Sequence, residues 1–386
     1  MKKIGRTVLK LGTGEGNPRN GEGTFIRLKS GTIMFVFTQY YGTDWADHAI
    51  ARLCACYSED EGETWTNPVV IIEKDEKAEN VMSPSLVRMN NGDLGIVYLR
   101  KEKMPDNGVV CMPIFRRSAD EGKSWSDWVY CGVPEGYYCV INDGVIRQEN
   151  GRILVPMSYH GIRHDSFHTC TLDLSAQKNA DIRFAFSDDD GQTWGMLPQV
   201  LSTPFDDKVG FAEPGVFEYE DGELWTWYRT GYGFQYESRS YDGGQTFTAP
   251  VPNFYFTSPD APMRVKKAGN YTVAVFNPVP LHCMSEEREI WGTGKRTPLV
   301  CAVSEDGGQS FKSDGKAMID HQMDDFFARC CLLEDDPKNS FCYPAIQEVE
   351  DGFLVAYYDS ADTGVCLNAT TMKKMLFSEL SILSAE

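Results

Sequence analysis

The chain has 386 residues, of which 42% are hydrophobic and 24% charged, and its formal net charge at pH 7 is −19. This length exceeds the usual limit for one compact core unless the core is spread around a ring or divided between domains. The negative charge argues against nucleic acids and anionic membranes as partners, because both require a basic surface. No run of 18 apolar residues suggests a membrane-spanning helix.

The N-terminal segment MKKIGRTVLKLGTGEGNPRN contains no apolar stretch of signal-peptide length, so we expect a cytoplasmic protein. The 12 cysteines are scattered and lack the paired CxxC or His spacing of a zinc site. Reduced, buried thiols and no bound metal are therefore expected. Neither a phosphate-binding loop nor a nucleotide fingerprint occurs, so we expect no cofactor.

Six segments along the chain combine a turn that ends in glycine with an apolar strand. In chain order they are KSGTIMFVF, NNGDLGIVY, ENGRILVPM, EDGELWTWY, KAGNYTVAV and EDGFLVAYY, with glycines Gly31, Gly92, Gly151, Gly222, Gly269 and Gly352. Apolar runs bounded by such turn residues are typical of short strands in an all-β protein.

A second pattern, Ser-x-Asp-x-Gly-x-(Ser/Thr)-(Trp/Phe), occurs five times between these segments. Its copies begin at Ser58, Ser118, Ser187, Ser240 and Ser304. The Asp carboxylate can accept backbone N–H groups across a tight turn, glycine adopts the positive φ, and the hydroxyl closes the loop. We therefore interpret these aspartates as structural and not as catalytic.

The two repeats predict a six-bladed β-propeller with four-stranded antiparallel blades, formed by residues 1–386 as a single domain. The sixth unit lacks the Ser-x-Asp-x-Gly turn, as expected where the N- and C-terminal strands close the ring. Counting back nine residues from each hairpin glycine reaches a polar residue in every unit: Glu22, Ser83, Asn142, Glu213, Asp260 and Tyr343. These positions are expected to line one mouth of the central channel and to form a site there.

The five turn strings resemble the Asp boxes of sialidases (neuraminidases), BNR-repeat enzymes whose fold is a six-bladed propeller with its active site at the channel mouth. The resemblance covers roughly residues 20 to 380. Similar boxes also occur in sortilin-like receptors, arabinanases and photosystem assembly factors. The site residues must therefore distinguish a sialidase from these proteins.

Three segments resemble sialidase segments that carry catalytic or binding residues. AEPGVFEYEDGELWTWYRT is similar to a segment in which a Glu opens one strand and an Arg ends the next, which assigns those roles to Glu213 and Arg229. GKRTPLVCAVSEDGG resembles the segment with a further substrate-binding arginine, here Arg296. FCYPAI resembles the segment with the nucleophilic tyrosine, here Tyr343.

The first unit contains the candidate acid/base residue, and it also differs from the family pattern at one position. The resemblance assigns the acid/base role to Asp47, with Asp44 in reserve, because the family has an acidic residue about a dozen positions before the box. Sialidases also open their first inner strand with an arginine that binds the sialic acid carboxylate. Gly21 or Glu22 stands at that position here, and Arg19 lies close but out of register.

The remaining candidates for substrate binding are polar or aromatic residues near strand ends: Glu22, His48, Asn142, Asp143, Gln235 and Tyr236. A carboxylate at Glu22 would repel an anionic sugar unless it pairs with an arginine or binds hydroxyl groups. His160 lies in the same region, and we assign it no role.

Sialic acid carries a carboxylate on its anomeric carbon, which disfavours attack by a second carboxylate and favours a neutral phenol. Tyrosine requires a base, so we expect Glu213 to take the proton of Tyr343. The leading hypothesis is therefore a retaining exo-α-sialidase with a carbohydrate substrate. Two alternatives remain: a glycosidase for another terminal sugar, and a non-catalytic carbohydrate-binding or protein-binding propeller. The sequence leaves the oligomeric state open.

Overall fold

A computed structural model describes residues 3–105, 108–161, 179–204, 210–279, 296–311, 330–360 and 367–380. Its strands, numbered along the chain, begin with β1 (Arg6–Leu11). The first blade contains β2 (Arg19–Arg27), β3 (Ile33–Tyr40), β4 (Ala51–Ser58) and β5 (Val69–Ile72). The second contains β6 (Ala78–Arg88), β7 (Leu94–Lys103), β8 (Val109–Ser118) and β9 (Val129–Tyr130).

The third blade contains β10 (Tyr138–Cys139), β11 (Ile146–Arg147), β12 (Ile153–Tyr159), β13 (Asp181–Ser187) and β14 (Gly195–Met196). The fourth contains β15 (Ala212–Glu218), β16 (Leu224–Arg229), β17 (Phe234–Ser240) and β18 (Val251–Thr257). The fifth contains β19 (Arg264–Ala268), β20 (Tyr271–Phe276), β21 (Leu299–Ser304) and β22 (Cys330–Glu334). The sixth contains β23 (Phe341–Val349), β24 (Gly352–Asp359) and β25 (Ala369–Leu376), and a short helix (Phe377–Leu380) follows it.

Each blade is an antiparallel sheet in which successive strands pair from the channel outwards, and the six blades form a ring. This confirms the predicted all-β, six-bladed propeller. The outer strand of the sixth blade is β1, which pairs with β25. The third blade departs from the simple pattern because its inner strand is interrupted, so that β10 and β11 both pair with β12.

Hydrophobic side chains fill the spaces between neighbouring blades. Between the fourth and fifth blades, for example, Trp225 and Trp227 pack with Phe256 and Phe276 in one buried cluster. Large aromatic side chains bury much apolar surface, so such layers stabilise the ring. No helix in the described ranges is long and apolar enough to cross a membrane.

The five Asp boxes contain the hydrogen bonds expected from their sequence. In the first box, Asp60 Oδ1 accepts from the Thr64 backbone N–H (2.9 Å), Asp60 Oδ2 accepts from the Thr64 hydroxyl (2.6 Å), and Ser58 Oγ accepts from the Gly62 N–H (2.9 Å). These bonds lower the pKa of Asp60 to about 2, with the Thr64 hydroxyl as the largest cause. The box aspartates therefore stabilise tight turns on the outside of the blades.

The box aromatics also connect blades, as Trp194 of the third blade illustrates. Its ring packs against Phe115 of the second blade at a centroid distance of 5.2 Å. A side chain at the box glycine Gly191 would begin 2.1 Å from the same Phe115 ring. Glycine is therefore required at this position both for its positive φ of 76° and for the close approach of the neighbouring blade.

Candidate active site

One residue of each blade has a left-handed backbone conformation at the channel mouth. These residues have φ between 43° and 62° and are Glu22, Ser83, Asp143, Glu213, Asp260 and Tyr343. Non-glycine residues rarely adopt this conformation, which costs of order 1–3 kcal/mol each and is concentrated at functional sites. In four blades the strand register shifts at this residue, so the repeated bulge redirects one side chain per blade.

Five of these six residues are the positions reached by counting from the hairpin glycines. The third blade differs, because Asp143 and not Asn142 has the left-handed conformation. The inner strand is broken here between β10 and β11, and the Gly144 N–H donates to the Ile141 carbonyl to form a turn. A count that assumes a continuous strand is therefore displaced by one residue in this blade.

Tyr343, Glu213 and Arg229 are brought together from three different strands. Tyr343 Oη donates to Glu213 Oε1 at 2.7 Å, and Arg229 Nη1 donates to Glu213 Oε2 at 2.6 Å. Arg229 Nη1 also lies 3.4 Å from Tyr343 Oη. Burial raises the pKa of the Tyr343 phenol, the Glu213 carboxylate raises it further, and Arg229 partly offsets both. The phenol is therefore protonated in the free protein, and it donates this proton in its hydrogen bond to Glu213.

Asp260 holds the two arginines that flank this group. Its carboxylate accepts from Arg229 Nε at 2.7 Å and from Nη2 at 3.3 Å, and its backbone carbonyl accepts from Arg296 Nη2 at 3.0 Å. Burial opposes ionisation of Asp260, but Arg229 outweighs it and lowers the pKa of this carboxyl. The sequence count reached Asp260 without giving it a role, since nothing in the pattern showed which arginines it would contact.

Arg296 lies over the face of the Tyr343 ring, with the guanidinium carbon 5.5 Å from the ring centroid. Its side chain is largely buried, and its Nε has no hydrogen-bond partner among the described residues. An unpaired buried donor is costly unless a ligand or water satisfies it. As far as the described residues show, the Arg296 Nε–H is therefore available to a ligand beside the Tyr343 ring.

Arg19, judged out of register from the sequence, lies in the mouth. Its Nε donates to Tyr358 Oη at 2.9 Å, and its Nη1 donates to Asp47 Oδ1 at 2.5 Å. The reason is the bulge in β2, where the two residues between Gly21 and Thr24 oppose a single residue of β3, Phe37. One extra residue reverses the alternation of side chains, so positions three apart reach the same side. The bulge thus brings Arg19 to the same side of the strand as Glu22.

Gly21 allows this arrangement because it has no side chain. A Cβ at Gly21 would lie 1.7 Å from the nearest atom of the Tyr358 ring, which is fully buried. The Tyr358 hydroxyl accepts from Arg19, and the Tyr358 ring packs edge-on to Tyr343 at a centroid distance of 5.8 Å. A glycine in the first inner strand therefore sets the position of the first arginine.

Glu22 is also part of this group and is almost completely buried. It accepts a short hydrogen bond from the Ser83 hydroxyl and lies 3.5 Å from Arg19 Nη2. Burial raises the pKa of Glu22, while Arg19 and Ser83 work in the opposite direction. Glu22 therefore meets the condition set from the sequence, because it pairs with an arginine.

Asp47 lies on the loop between β3 and β4, and its side chain is 67% exposed. Asn80 Nδ2 and Lys101 Nζ donate to the Asp47 backbone carbonyl at 2.8 and 2.7 Å, which fixes this part of the loop. Asp44 Oδ1 instead accepts from the backbone of Ala46 within the loop. Of the two acid/base candidates, Asp47 is therefore the one whose carboxylate contacts Arg19.

Asn142 and Asp143 connect blades within the channel. Asn142 Nδ2 donates to the carbonyls of Gly23 (2.7 Å) and Tyr343 (3.3 Å). Asp143 accepts from Lys266 Nζ (2.7 Å) and from hydroxyl and backbone donors of the first and sixth blades. Both side chains are almost fully buried, and these contacts fix the inner strands relative to one another.

The other candidate side chains lie around the mouth or behind it. Gln235 Nε2 donates to the Ala261 carbonyl at 2.8 Å, and Tyr236 is buried in an aromatic cluster. The rings of His48 and His160 both approach Tyr137 edge-on, at 6.4 and 6.1 Å. No group of three or more His, Cys, Asp or Glu suited to a metal ion is found in the described part of the chain.

Comparison with known proteins agrees with this fold. Residues 54–356 match the BNR repeat-like domain family, and since this is more than half of the chain, the protein belongs to that family. The Anhydrosialidase of Macrobdella decora is 34% identical over 147 residues, a match that covers 36% of this chain and only 16% of that protein.

Solved structures share the fold at low sequence identity. A protein of unknown function from Dyadobacter fermentans has 20% identity and a TM-score of 0.67, with 96% of this chain and 99% of that chain covered. The NanB sialidase of Streptococcus pneumoniae has 13% identity and a TM-score of 0.67, with 98% and 71% covered. The Trypanosoma rangeli sialidase has 14% identity and a TM-score of 0.63, with 95% of this chain but 56% of that chain covered.

Proposed function

We propose that the protein is a retaining exo-glycosidase that hydrolyses terminal sialic acid from oligosaccharides or glycoconjugates. The observation that carries this proposal is the hydrogen bond from Tyr343 Oη to Glu213 Oε1, with Arg229 contacting both groups. A hydroxyl that donates to a neighbouring carboxylate is arranged as a nucleophile with its base. In addition, a Trypanosoma rangeli sialidase structure contains 2,3-difluorosialic acid as a covalent intermediate.

The choice of tyrosine fits an anomeric carbon that carries a carboxylate. A carboxylate nucleophile would approach such a carbon against like charge, whereas a neutral phenol does not. Because burial and Glu213 raise the pKa of Tyr343, the phenol loses its proton only as it attacks. Glu213 is the group in hydrogen-bonding contact that can accept that proton.

The reaction proceeds in two steps through a glycosyl-tyrosine intermediate. First, the Tyr343 oxygen bonds to the anomeric carbon, Glu213 takes the phenol proton, and protonated Asp47 gives its proton to the leaving oxygen. Then a water molecule attacks the anomeric carbon, and Asp47 takes a proton from this water. The bond between the anomeric carbon and the Tyr343 oxygen breaks, and Glu213 returns its proton to that oxygen. Two inversions give overall retention, and each proton transfer contributes about 100- to 10,000-fold.

Three arginines are available to bind the carboxylate of the sugar. Arg229 and Arg296 contact Tyr343 directly, and Arg19 reaches its neighbour Tyr358. Guanidinium groups bind carboxylates through charge-assisted, paired N–H donors. The buried Arg296 Nε, which lacks a partner among the described residues, supports this role because a bound carboxylate would satisfy it.

Turnover of aryl sialosides and natural sialyl-oligosaccharides tests the proposal. Tyr343→Phe removes one hydroxyl, and we expect kcat to fall at least about 1,000-fold. Tyr241→Phe is the matched control, since this tyrosine is 72% exposed on the surface. Undiminished release by Tyr343→Phe would contradict the proposal, and so would a folded wild-type protein that releases no sialic acid from either substrate class.

A different terminal sugar is the second candidate, and the acidic groups of the mouth favour it. Four cationic side chains are matched there by four carboxylates: Arg19, Lys101, Arg229 and Arg296 against Glu22, Asp47, Glu213 and Asp260. Such a balance reduces the attraction for an anionic sugar. A screen of neutral and acidic aryl glycosides separates the two candidates, and glycan-array binding without hydrolysis would indicate a binding module.

The product also needs to be identified. Because one relative is named an anhydrosialidase, the released sugar could be an anhydro sugar instead of the hydrolysed one. NMR of the products of natural sialyl-oligosaccharides distinguishes the two. Our proposal predicts the free sugar, first released with retained anomeric configuration.

A further inference from the structure

Four N–H groups of the Arg19 guanidinium already have acceptors in the free protein. Its Nε donates to Tyr358, its Nη1 donates to both Asp47 Oδ1 (2.5 Å) and the Trp45 carbonyl (3.2 Å), and one N–H of its Nη2 faces Glu22. Both N–H groups of Nη1 are in use, so a sugar carboxylate that pairs with Nη1 and Nη2 together must replace an acceptor. The effect of sugar binding on the site depends on which acceptor leaves Arg19.

Asp47 is the acceptor that can leave most easily. Its side chain is 67% exposed, whereas the side chain of Glu22 is 5% exposed and Tyr358 is fully buried. Displacing Glu22 or Tyr358 would leave a buried polar group without its partner, which is costly. The Asp47 carboxylate can instead turn to water, which replaces the lost contact with Arg19.

While Asp47 is paired with Arg19, its carboxylate is negatively charged and cannot act as the acid that the proposed mechanism requires. The charged groups that face it are Arg19 and Glu22 on β2, Lys101 on β7, and His48 on its own loop. Desolvation acts against the charged form, but Arg19 and Lys101 outweigh it and lower the pKa of Asp47. An ionised carboxylate cannot protonate a leaving oxygen, so the free protein holds its acid in the inactive form.

We propose that the substrate activates its own acid: the sugar carboxylate replaces Asp47 as the partner of Arg19, and the released Asp47 takes up a proton from solvent. The inference rests on the proposed function and deepens it, because it defines the substrate class. The sugar must carry an anionic group at or beside the reacting carbon. A neutral sugar leaves the ion pair between Arg19 and Asp47 intact and is not cleaved efficiently, even when it binds.

Charge alone gives the direction of the change. Loss of the Arg19 contact removes an attraction that favours the ionised form, and the bound sugar carboxylate adds a like charge nearby. At a fixed pH above the pKa of Asp47, each unit by which this pKa rises increases the protonated fraction of Asp47 about tenfold. In pH profiles, the alkaline limb that reports Asp47 therefore lies at higher pH for kcat than for kcat/KM.

Proton uptake on ligand binding tests this coupling without turnover. Isothermal titration of 2,3-dehydro-2-deoxy-N-acetylneuraminic acid in two buffers of different ionisation enthalpy measures it. For the wild type we expect uptake that rises towards about one proton per ligand as the pH is lowered from 6 to about 4. Asp47→Asn should abolish most of this uptake and tighten binding, because the competitor for Arg19 has lost its charge.

Two matched variants identify the group that takes up the proton. Asp44→Asn removes a carboxylate from the same loop that does not contact Arg19, and it should retain the uptake. Glu22→Gln removes the other carboxylate beside Arg19, and it should also retain most of it. Binding without proton uptake, or uptake that persists in Asp47→Asn, overturns the coupling while the proposed function survives. If the ligand binds neither to the wild type nor to Asp47→Asn, both proposals are overturned.

Discussion

Gly21→Ala is the change that most sharply probes how the first arginine is positioned. The new Cβ would lie 1.7 Å from the Tyr358 ring, so either the ring or the inner strand must move. Overpacking of a well-packed interior costs about 1–3 kcal/mol, and loss of the charge-assisted bond from Arg19 to Tyr358 adds about 1.5–3 kcal/mol. We therefore expect the free energy of unfolding to fall by about 2.5–6 kcal/mol.

Urea denaturation measures this loss of stability, and aryl sialoside turnover measures its effect on the site. Because Arg19 would be displaced from the mouth, kcat/KM should fall by about 100-fold or more. The matched control is Gly14→Ala, since a Cβ at Gly14 meets no atom within 4 Å. If Gly21→Ala were as stable and active as Gly14→Ala, the account of how Tyr358 positions Arg19 would be refuted.

Two further variants test charges that the structure places in defined roles. Asp260→Asn should lower stability by about 2 kcal/mol at pH 7, because Arg229 loses a paired acceptor. Arg229 lowers the pKa of Asp260 although Asp260 is buried, so this loss of stability should become smaller as the pH falls below about 3.9. Thermal melts across that pH range measure it. A loss of stability that does not change with pH would show that the pairing is unimportant. Asp60→Asn should weaken the first Asp box at neutral pH. Its pKa of about 2 predicts that the difference from wild type fades as the pH falls from 4 to 2, and an equal difference at both pH values would contradict the box geometry.

The fold could be predicted from sequence because its signals repeat. Five of the six hairpin glycines and the glycine of each Asp box, such as Gly62, have positive φ, which favours glycine. Six copies then fix the blade count even where single strands are short. The interruption between β10 and β11 could not be predicted from the same pattern, because counting from the hairpin glycines assumes that every inner strand is continuous.

The site was predictable only where a residue followed the regular count or a family segment. Tyr343 and Glu213 are at such positions, and the structure brings them into hydrogen-bonding contact. Arg19 was missed because a single extra residue in β2 changes which side chains share a face, and bulges have no strong sequence signature. The sequence did contain one clue, the glycines at positions 21 and 23, because glycines inside a strand often mark a bulge or a close approach.

Covalent trapping tests the central claim most directly. Treatment with 2,3-difluorosialic acid, followed by intact-mass measurement and peptide mapping, should find one added glycosyl group, attached to Tyr343. The label should disappear in Tyr343→Phe and persist in Tyr241→Phe. Attachment to another residue would contradict the account, and so would the absence of any label in a preparation that hydrolyses sialosides.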